Sequence, residues 1–274
     1  MTRLRLALIA ALLAAPLTAR AQAPAPASAS APAARPWQVD WGQYYCSAIR
    51  KADATRPFAT AFVMTPGMRG MHIALLRQRD GEVPVGVTDV VLMPAGTSFS
   101  VTTSAETVGR SDIQRLTGLP LEFVAGLTGA QMLELRTDGR LRERVPLDGV
   151  QAALAANGQC LAAVAREWGV DLAALAALRK RPDSLNNLGL TFEDYPMRAL
   201  REATQGRVVV RVDINEAGRA TACLPVASSG SPEIDSVACR SAMTRAQYEP
   251  ALDAAGRPAA ARVVFMATFR LPEG

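Results

Sequence analysis

Residues 206–225 read GRVVVRVDINEAGRATACLP, and this stretch decides the fold of the carboxy-terminal part of the chain. Val208, Val210, Val212 and Ile214 alternate with Val209, Arg211 and Asp213, the period-two pattern of a half-buried strand. Asn215 to Gly218 reads as a turn in which Gly218 can take positive φ, and 219–225 returns as a second strand. Beyond it, Ser231 is placed to cap a helix with Pro232 at its first position. Glu233 and Asp235 fall in the first turn of that helix, where its dipole favours anions. Ile234, Val237, Ala238 and Ser241 form its inward face. A turn at Gly256 leads to a last strand at 263–269, and a short helix at 196–203, ended by Gly206, precedes the whole set. Helix, strand, strand, helix, strand makes an α+β unit.

Upstream, Arg179 to Glu193 (RKRPDSLNNLGLTFE) is polar and turn-rich and reads as a linker. Residues 37–178 then form a first domain. Its strand-like stretches are 58–65, 71–76, 83–93 and 98–103, punctuated by Pro66-Gly67, Asp80-Gly81 and Pro94-Ala95-Gly96. A hairpin is expected from 131–136 to 141–146, turning at Asp138-Gly139. Val150, Leu154, Leu161, Val164 and Trp168 recur near helical spacing, with a break between two helices expected at Asn157-Gly158.

The amino terminus carries its own signal. Arg3 and Arg5 precede an apolar run from Leu6 to Leu17, followed by the small-residue signals Ala19-Arg20-Ala21 and Ala21-Gln22-Ala23. That order marks a secretory signal peptide over residues 1–21, cut after Ala21 because Pro24 disfavours the later site. The rival is an uncleaved anchor. A helix of that apolar run reaches only about 18–21 Å, against a hydrocarbon core of roughly 30 Å. Residues 22–36 alternate Pro, Ala and Ser and read as a semi-extended tether. The expected location is an oxidising compartment outside the cytoplasm.

Loss of Arg3, Arg5 and Arg20 from the formal charge of +5 leaves +2. Residues 37–178 carry thirteen basic and fourteen acidic side chains, and 194–274 carry ten and nine. Neither half has the dense basic footprint that phosphate binding needs, so no nucleic-acid partner is expected. Cys46, Cys160, Cys223 and Cys239 are an even number in an exported chain, which favours two disulfides. Cys46 and Cys160 stand near the two ends of the first domain and could tie them together. Zinc is the competing use, but no two cysteines are spaced C-x-x-C and His72 is the sole histidine, so no metal site is expected. No cofactor and no catalysis are expected either. His72 lies in a strand-like stretch without a nucleophile elbow and reads as a structural residue. No GxGxxG or GxxxxGK follows a strand.

Several carboxy-terminal features occur in a telling order. Tyr195-Pro196 precedes the short helix, Gly206 leads into VVVRVDI, and Ser228-Ser229-Gly230 comes before Ile234-Asp235. Tyr248-x-Pro250-Ala251, Gly256-x-Pro258 and the strand containing Phe269 complete the set. From about 194 to 272 the chain resembles the carboxy-terminal domain of TonB-like energy transducers. The resemblance implies a small α+β domain with a three-stranded antiparallel sheet and two helices; the fold expected for the whole chain is α+β, a β-rich first domain that ends in helices followed by this domain. It also places Cys223 and Cys239 where a subgroup of these domains carries a strand-to-helix disulfide. It implies a periplasmic module that grips the TonB box of an outer-membrane receptor, or another envelope protein, by β-strand addition. The edge used would be Arg262, Val263, Val264, Phe265, Met266, Ala267, Thr268, Phe269 and Arg270, with Val263, Phe265, Ala267 and Phe269 on the face toward the helices.

Two features depart from that family. The amino-terminal apolar run has no histidine of the kind that couples transducers to an inner-membrane proton-channel complex, a partner expected only if the anchor is uncleaved. The tether is also short, about 3.1 Å per residue even if fully polyproline-like. Energy transduction is therefore the weaker expectation, and an envelope structural or peptidoglycan-associated role is the alternative. No sequence feature specifies an oligomeric state.

Overall fold

The computed structural model describes residues 37–271 apart from 55, 69, 79–82 and 84. The expected signal peptide (1–21), the tether (22–36) and the Asp80-Gly81 turn lie outside the described residues. Among the described residues, no helix is long and apolar enough to cross a membrane.

The first half of the chain builds one antiparallel sheet. Its strands are β1 (Gln38–Trp41), β2 (Cys46–Arg50), β3 (Phe58–Met64), β4 (Met71–Gln78), β5 (Gly86–Met93), β6 (Thr97–Val108), β7 (Ser111–Leu119), β8 (Met132–Thr137) and β9 (Arg140–Pro146). Their spatial order is β1-β2-β3-β4-β7-β6-β5-β8-β9. The sheet curls so that its far strands meet. Arg77 on β4 pairs with Glu143 on β9 at 2.8 Å. Arg50 on β2 pairs with Asp148 at 2.7 Å, and the Trp37 indole N–H donates to the Asp148 carbonyl at 2.9 Å. Phe62, Ile73, Leu75, Leu116, Leu133 and Leu135 fill the concave side. Helix α1 (Leu121–Gly126) adds Phe123, and α2 (Val150–Glu167) adds Val150 and Ala153. A disulfide between Cys46 and Cys160 ties β2 to α2.

The turn of the β8–β9 hairpin has φ 52° at Asp138 and 71° at Gly139, which suits the right-handed twist of the strands it joins. Two sequence expectations need correction. The strand expected at 98–103 runs to Val108, and β7 follows it unforeseen. Residues 112, 114 and 116 of β7 point inward, so Asp112 and Gln114 are buried where an apolar pattern would be expected. Thr107 donates to Asp112 at 2.7 Å and Arg77 to Gln114 at 3.1 Å, so the inward polar groups are satisfied. The break expected at Asn157-Gly158 is absent, and α2 runs through it. A helical glycine costs about 1 kcal/mol. The buried stripe of Val150, Ala153, Asn157, Cys160 and Ala165 and the disulfide outweigh that cost. The helix ends at Gly169, φ 67°, where the Val170 N–H reaches back to the Ala165 carbonyl.

Helix α3 (Leu172–Ala177) follows, capped by the Asp171 carboxylate on the N–H groups of Ala173 and Ala174. Then come β10 (Asp183–Ser184), α4 (Met197–Arg201), β11 (Gly206–Ile214), β12 (Ala220–Ala227), α5 (Pro232–Thr244), β13 (Tyr248–Glu249), β14 (Ala251–Leu252), β15 (Pro258–Ala259) and β16 (Ala261–Phe269). Strands β12, β11 and β16 form an antiparallel sheet in that order. The polar segment 179–193 is packed rather than free. Its β10 pairs with β13, Leu188 is buried, and the Ser241 hydroxyl donates to the Leu188 carbonyl at 2.8 Å.

Candidate functional site

Strand β16 is one edge of the carboxy-terminal sheet, and among the described residues its ladder pairs only with β11. The register sets Arg207 opposite Thr268, Val209 opposite Met266 and Arg211 opposite Val264. Side chains alternate across the sheet. Val263, Ala267 and Phe269 are buried on the α5 side with Val208, Val210 and Val212. The Phe265 ring lies 5.6 Å from Tyr248 and the Phe269 ring 5.5 Å from Tyr195. Backbone groups alternate too. The Leu271 N–H points to the β11 side, donating to Gln205 at 3.0 Å. Counting back from it, the N–H groups of Arg270, Thr268, Met266 and Val264 face away from β11, toward the open edge.

The ordered features noted in the sequence build the frame that holds this strand. The Tyr195 hydroxyl donates to the Thr204 carbonyl at 2.7 Å, fixing α4 against the end of β16. A Cβ on Gly206 would stand 2.5 Å from the Ser229 carbonyl oxygen. Gly218 has φ 71°, and a Cβ there would stand 2.6 Å from the Tyr248 carbonyl oxygen. Asp235 is buried and accepts from the Ser228 hydroxyl at 2.6 Å, the Ser229 hydroxyl at 2.7 Å and the Ser229 N–H at 2.9 Å. Ser231 caps α5 by accepting from the Ile234 N–H, and Cys223 on β12 is bonded to Cys239 on α5. These glycines, serines and the aspartate shape turns and close approaches.

The other face of the sheet is covered as well, which the alternation alone does not foretell. Val209 and Val264 are buried, at 0% and 4% exposure, so β11 and β16 are not simple half-buried strands. The end of α2 and the start of α3 supply the cover. Trp168, Val170 and Leu175 share one apolar cluster with Val209 and Val264. Arg211 donates to the Trp168 carbonyl at 3.1 Å, and Arg262 donates to the Gly169 carbonyl at 3.1 Å. Arg262 also forks onto both Asp213 oxygens at 2.7 and 2.8 Å, and this bond holds the Asp213 carboxyl below its usual range. The signal for this cover was present: valine fills both phases at 208–210 and 263–264.

Along the open edge, the two halves of β16 differ. Val263, Val264 and Phe265 share a narrow cleft of about 190 Å³ with Gly67, Met68 and residues 181–183. Met266 and Thr268 open instead onto a larger cleft of about 430 Å³ against the convex side of the nine-stranded sheet. His72 lies in that second cleft, on β4, and burial lowers the pKa of its imidazole.

A small α+β domain with an unpaired edge strand, a strand-to-helix disulfide and a helix seated on one sheet face is the class that this geometry defines. Residues 193–271 match the family model described as Gram-negative bacterial TonB protein C-terminal, so this part of the chain is a TonB carboxy-terminal domain. The match covers under a third of the chain. Comparison with curated proteins gives no match, and neither does comparison with solved structures. The matched family is envelope-associated and is not a family of enzymes.

Proposed function

We propose that this protein is a periplasmic binding module that takes an extended segment of an envelope partner, such as the TonB box of an outer-membrane receptor, as an added strand on β16. The observation that carries the proposal is the unpaired β16 edge within a domain of the TonB carboxy-terminal family. Backbone pairing along an edge supplies affinity without a dedicated side chain. Residues 262–270 form the pairing surface, and 266–270 engage first, because Gly67, Met68 and residues 181–183 crowd the other half. The proposal assigns no catalytic step and no cofactor. It links the module to TonB-dependent transport through its receptor partner.

Titration with a receptor-derived extended peptide, followed by backbone amide shifts, tests this. Shifts should centre on residues 266–270. Thr268→Pro removes an outward backbone donor at an exposed side chain and should abolish binding with the fold retained. Met266→Pro, in the same phase, should do the same. Thr268→Ala should leave affinity within about threefold, since the donor remains. Shifts confined to the nine-stranded sheet would refute β-addition. They would favour the alternative, an envelope structural or peptidoglycan-associated protein, to which the short tether at 22–36 also points.

A further inference from the structure

The larger cleft beside β16 has the makings of a second site. Its floor is one continuous face of the nine-stranded sheet. The ladder places Ser47 opposite Val63, Ile49 opposite Ala61, Val63 opposite His72 and Ala61 opposite Ala74. These residues all line the cleft, and they are small or apolar apart from Ser47 and His72. Side chains on this face cannot reach the concave core, which the alternate residues Phe62, Ile73 and Leu75 fill. Met266, Thr268 and the ring of Tyr44 lie across from the floor. The volume, about 430 Å³, lies within the span of roughly 300–1,000 Å³ typical of small-molecule sites.

Two polar groups interrupt the apolar floor. Ser47 is 1% exposed, and its hydroxyl has no hydrogen-bond partner; nor has Nδ1 of His72.

The rim is cationic. Arg115 and Arg207 both line the cleft. Arg115 pairs with Glu106, whereas Arg207 has no carboxylate partner among the described residues and lies over the Tyr44 ring, 5.9 Å from its centroid. The Glu106 carboxyl is held below its usual range by the Arg115 hydrogen bond, and the charges of Arg270 and Arg207 add to the effect. A second carboxylate, Asp40, sits behind the Tyr45 hydroxyl at 3.4 Å. Of the residues that line the cleft, Arg115 and Arg207 are the ones that carry a full charge, and they stand beside an apolar floor.

We propose that this cleft binds a single-chain amphiphile, with its apolar body on the Ile49–Ala61–Val63–Ala74 floor and its anionic head at Arg207 and Arg115. This site is separate from strand addition, which uses the backbone edge of β16 and no side chain in the cleft floor.

Calorimetric titration of the oxidised full chain with decanoate and with decyltrimethylammonium, both below micelle formation, tests the proposal. Decanoate should bind at least about tenfold more tightly than the cation, the margin expected for a charge-assisted contact. Decyl phosphate should bind like decanoate if charge alone selects the head, and more weakly if the head must be a carboxylate; either order keeps the site. Arg207→Gln should weaken decanoate about tenfold without moving the melting temperature. Val63→Trp should fill the cleft and remove binding. Should Val63→Trp prove unfolded, Arg207→Glu serves in its place and should reverse the preference between anion and cation. Equal affinity for the two head charges, or decanoate binding unchanged in Arg207→Glu, would overturn the proposal. Peptide addition on β16 would be untouched by that failure, because the peptide titration reads backbone amides at 266–270.

Discussion

The two disulfides differ in what they constrain, and that difference is measurable. Cys46–Cys160 closes a loop of sequence separation 114, and Cys223–Cys239 one of 16. Loop-closure entropy then assigns about 4.8 kcal/mol to the first and about 3 kcal/mol to the second at 25 °C. Burial widens the gap. Cys46 and Cys160 are 0% exposed, so replacing both by alanine also leaves a void in packed surroundings, adding about 1 kcal/mol. Cys223 and Cys239 are half-buried, and their loss leaves little void. For a chain of this size, 1 kcal/mol moves Tm by about 2–4 °C. The Cys46→Ala/Cys160→Ala variant should therefore melt about 12–23 °C below the parent, and Cys223→Ala/Cys239→Ala about 6–12 °C below. Scanning calorimetry without reductant, after peptide mapping has confirmed the pairing in the parent, gives both numbers. A short-loop variant that loses as much as the long-loop variant would refute the loop-entropy reasoning. A Cys46–Cys223 peptide in the map would refute the pairing itself.

Three further outcomes are expected. Val264→Ala should destabilise the chain by about 2–3 kcal/mol in urea titrations, since two methyl groups leave a site packed by Val170 and Leu175; Thr268→Ala, at an exposed position of the same strand, should cost under about 0.5 kcal/mol. His72 is the sole histidine, and burial holds its folded pKa below the unfolded value near 6.5. The unfolded chain thus binds the proton first, so stability should fall as pH drops below about 6.5, and His72→Gln should flatten that slope; an unchanged slope in the variant would remove His72 as its cause. Finally, the oxidised fragment 194–274 should show a cooperative thermal transition at neutral pH, and fragment 179–274 a higher-melting one, because Leu188 and the β10–β13 pair belong to its packing. A shorter fragment without any transition would count against a domain boundary at Asp194.

How far the sequence speaks depends on which forces shape each element. The β11 strand, the Asn215–Gly218 turn and the Ser231-Pro232 helix start were legible because local chemistry dictates them: alternation, positive φ and a cap. Strand β7 was not, because Asp112 and Gln114 occupy inward positions, one satisfied by Thr107 across the β6–β7 turn and the other by Arg77 on β4. The continuity of α2 through Asn157-Gly158 depends on burial against the sheet and on a bond to Cys46, neither of which is local. The segment 179–193 looked like a linker by composition, yet Asn186 fastens it to the residues after α5, donating to the Arg245 carbonyl at 3.0 Å and accepting from the Gln247 N–H at 2.9 Å. Polar composition alone does not separate a loose tether from a strap that is fully hydrogen-bonded.

For the candidate site, side-chain alternation was a poorer guide than backbone chemistry. With α5 on one face of the carboxy-terminal sheet and Trp168, Val170 and Leu175 on the other, a partner finds little sheet face to occupy. Two edges remain, and they are unequal. Strand β12 contains Pro225, which lacks a donor, and its register against β11 slips between Val209 and Val210 and again between Asp213 and Ile214. Its Cys223 is bound to α5. Proline and irregular register are the usual means by which an edge is kept from pairing. Strand β16 has neither: residues 261–269 contain no proline, and their register with β11 is unbroken from Phe269 to Ala261. Among the described residues both edges are unpaired, but only β16 presents a regular row of donors and acceptors. That contrast, rather than any single side chain, is the structural support for residues 262–270 as the proposed surface for strand addition.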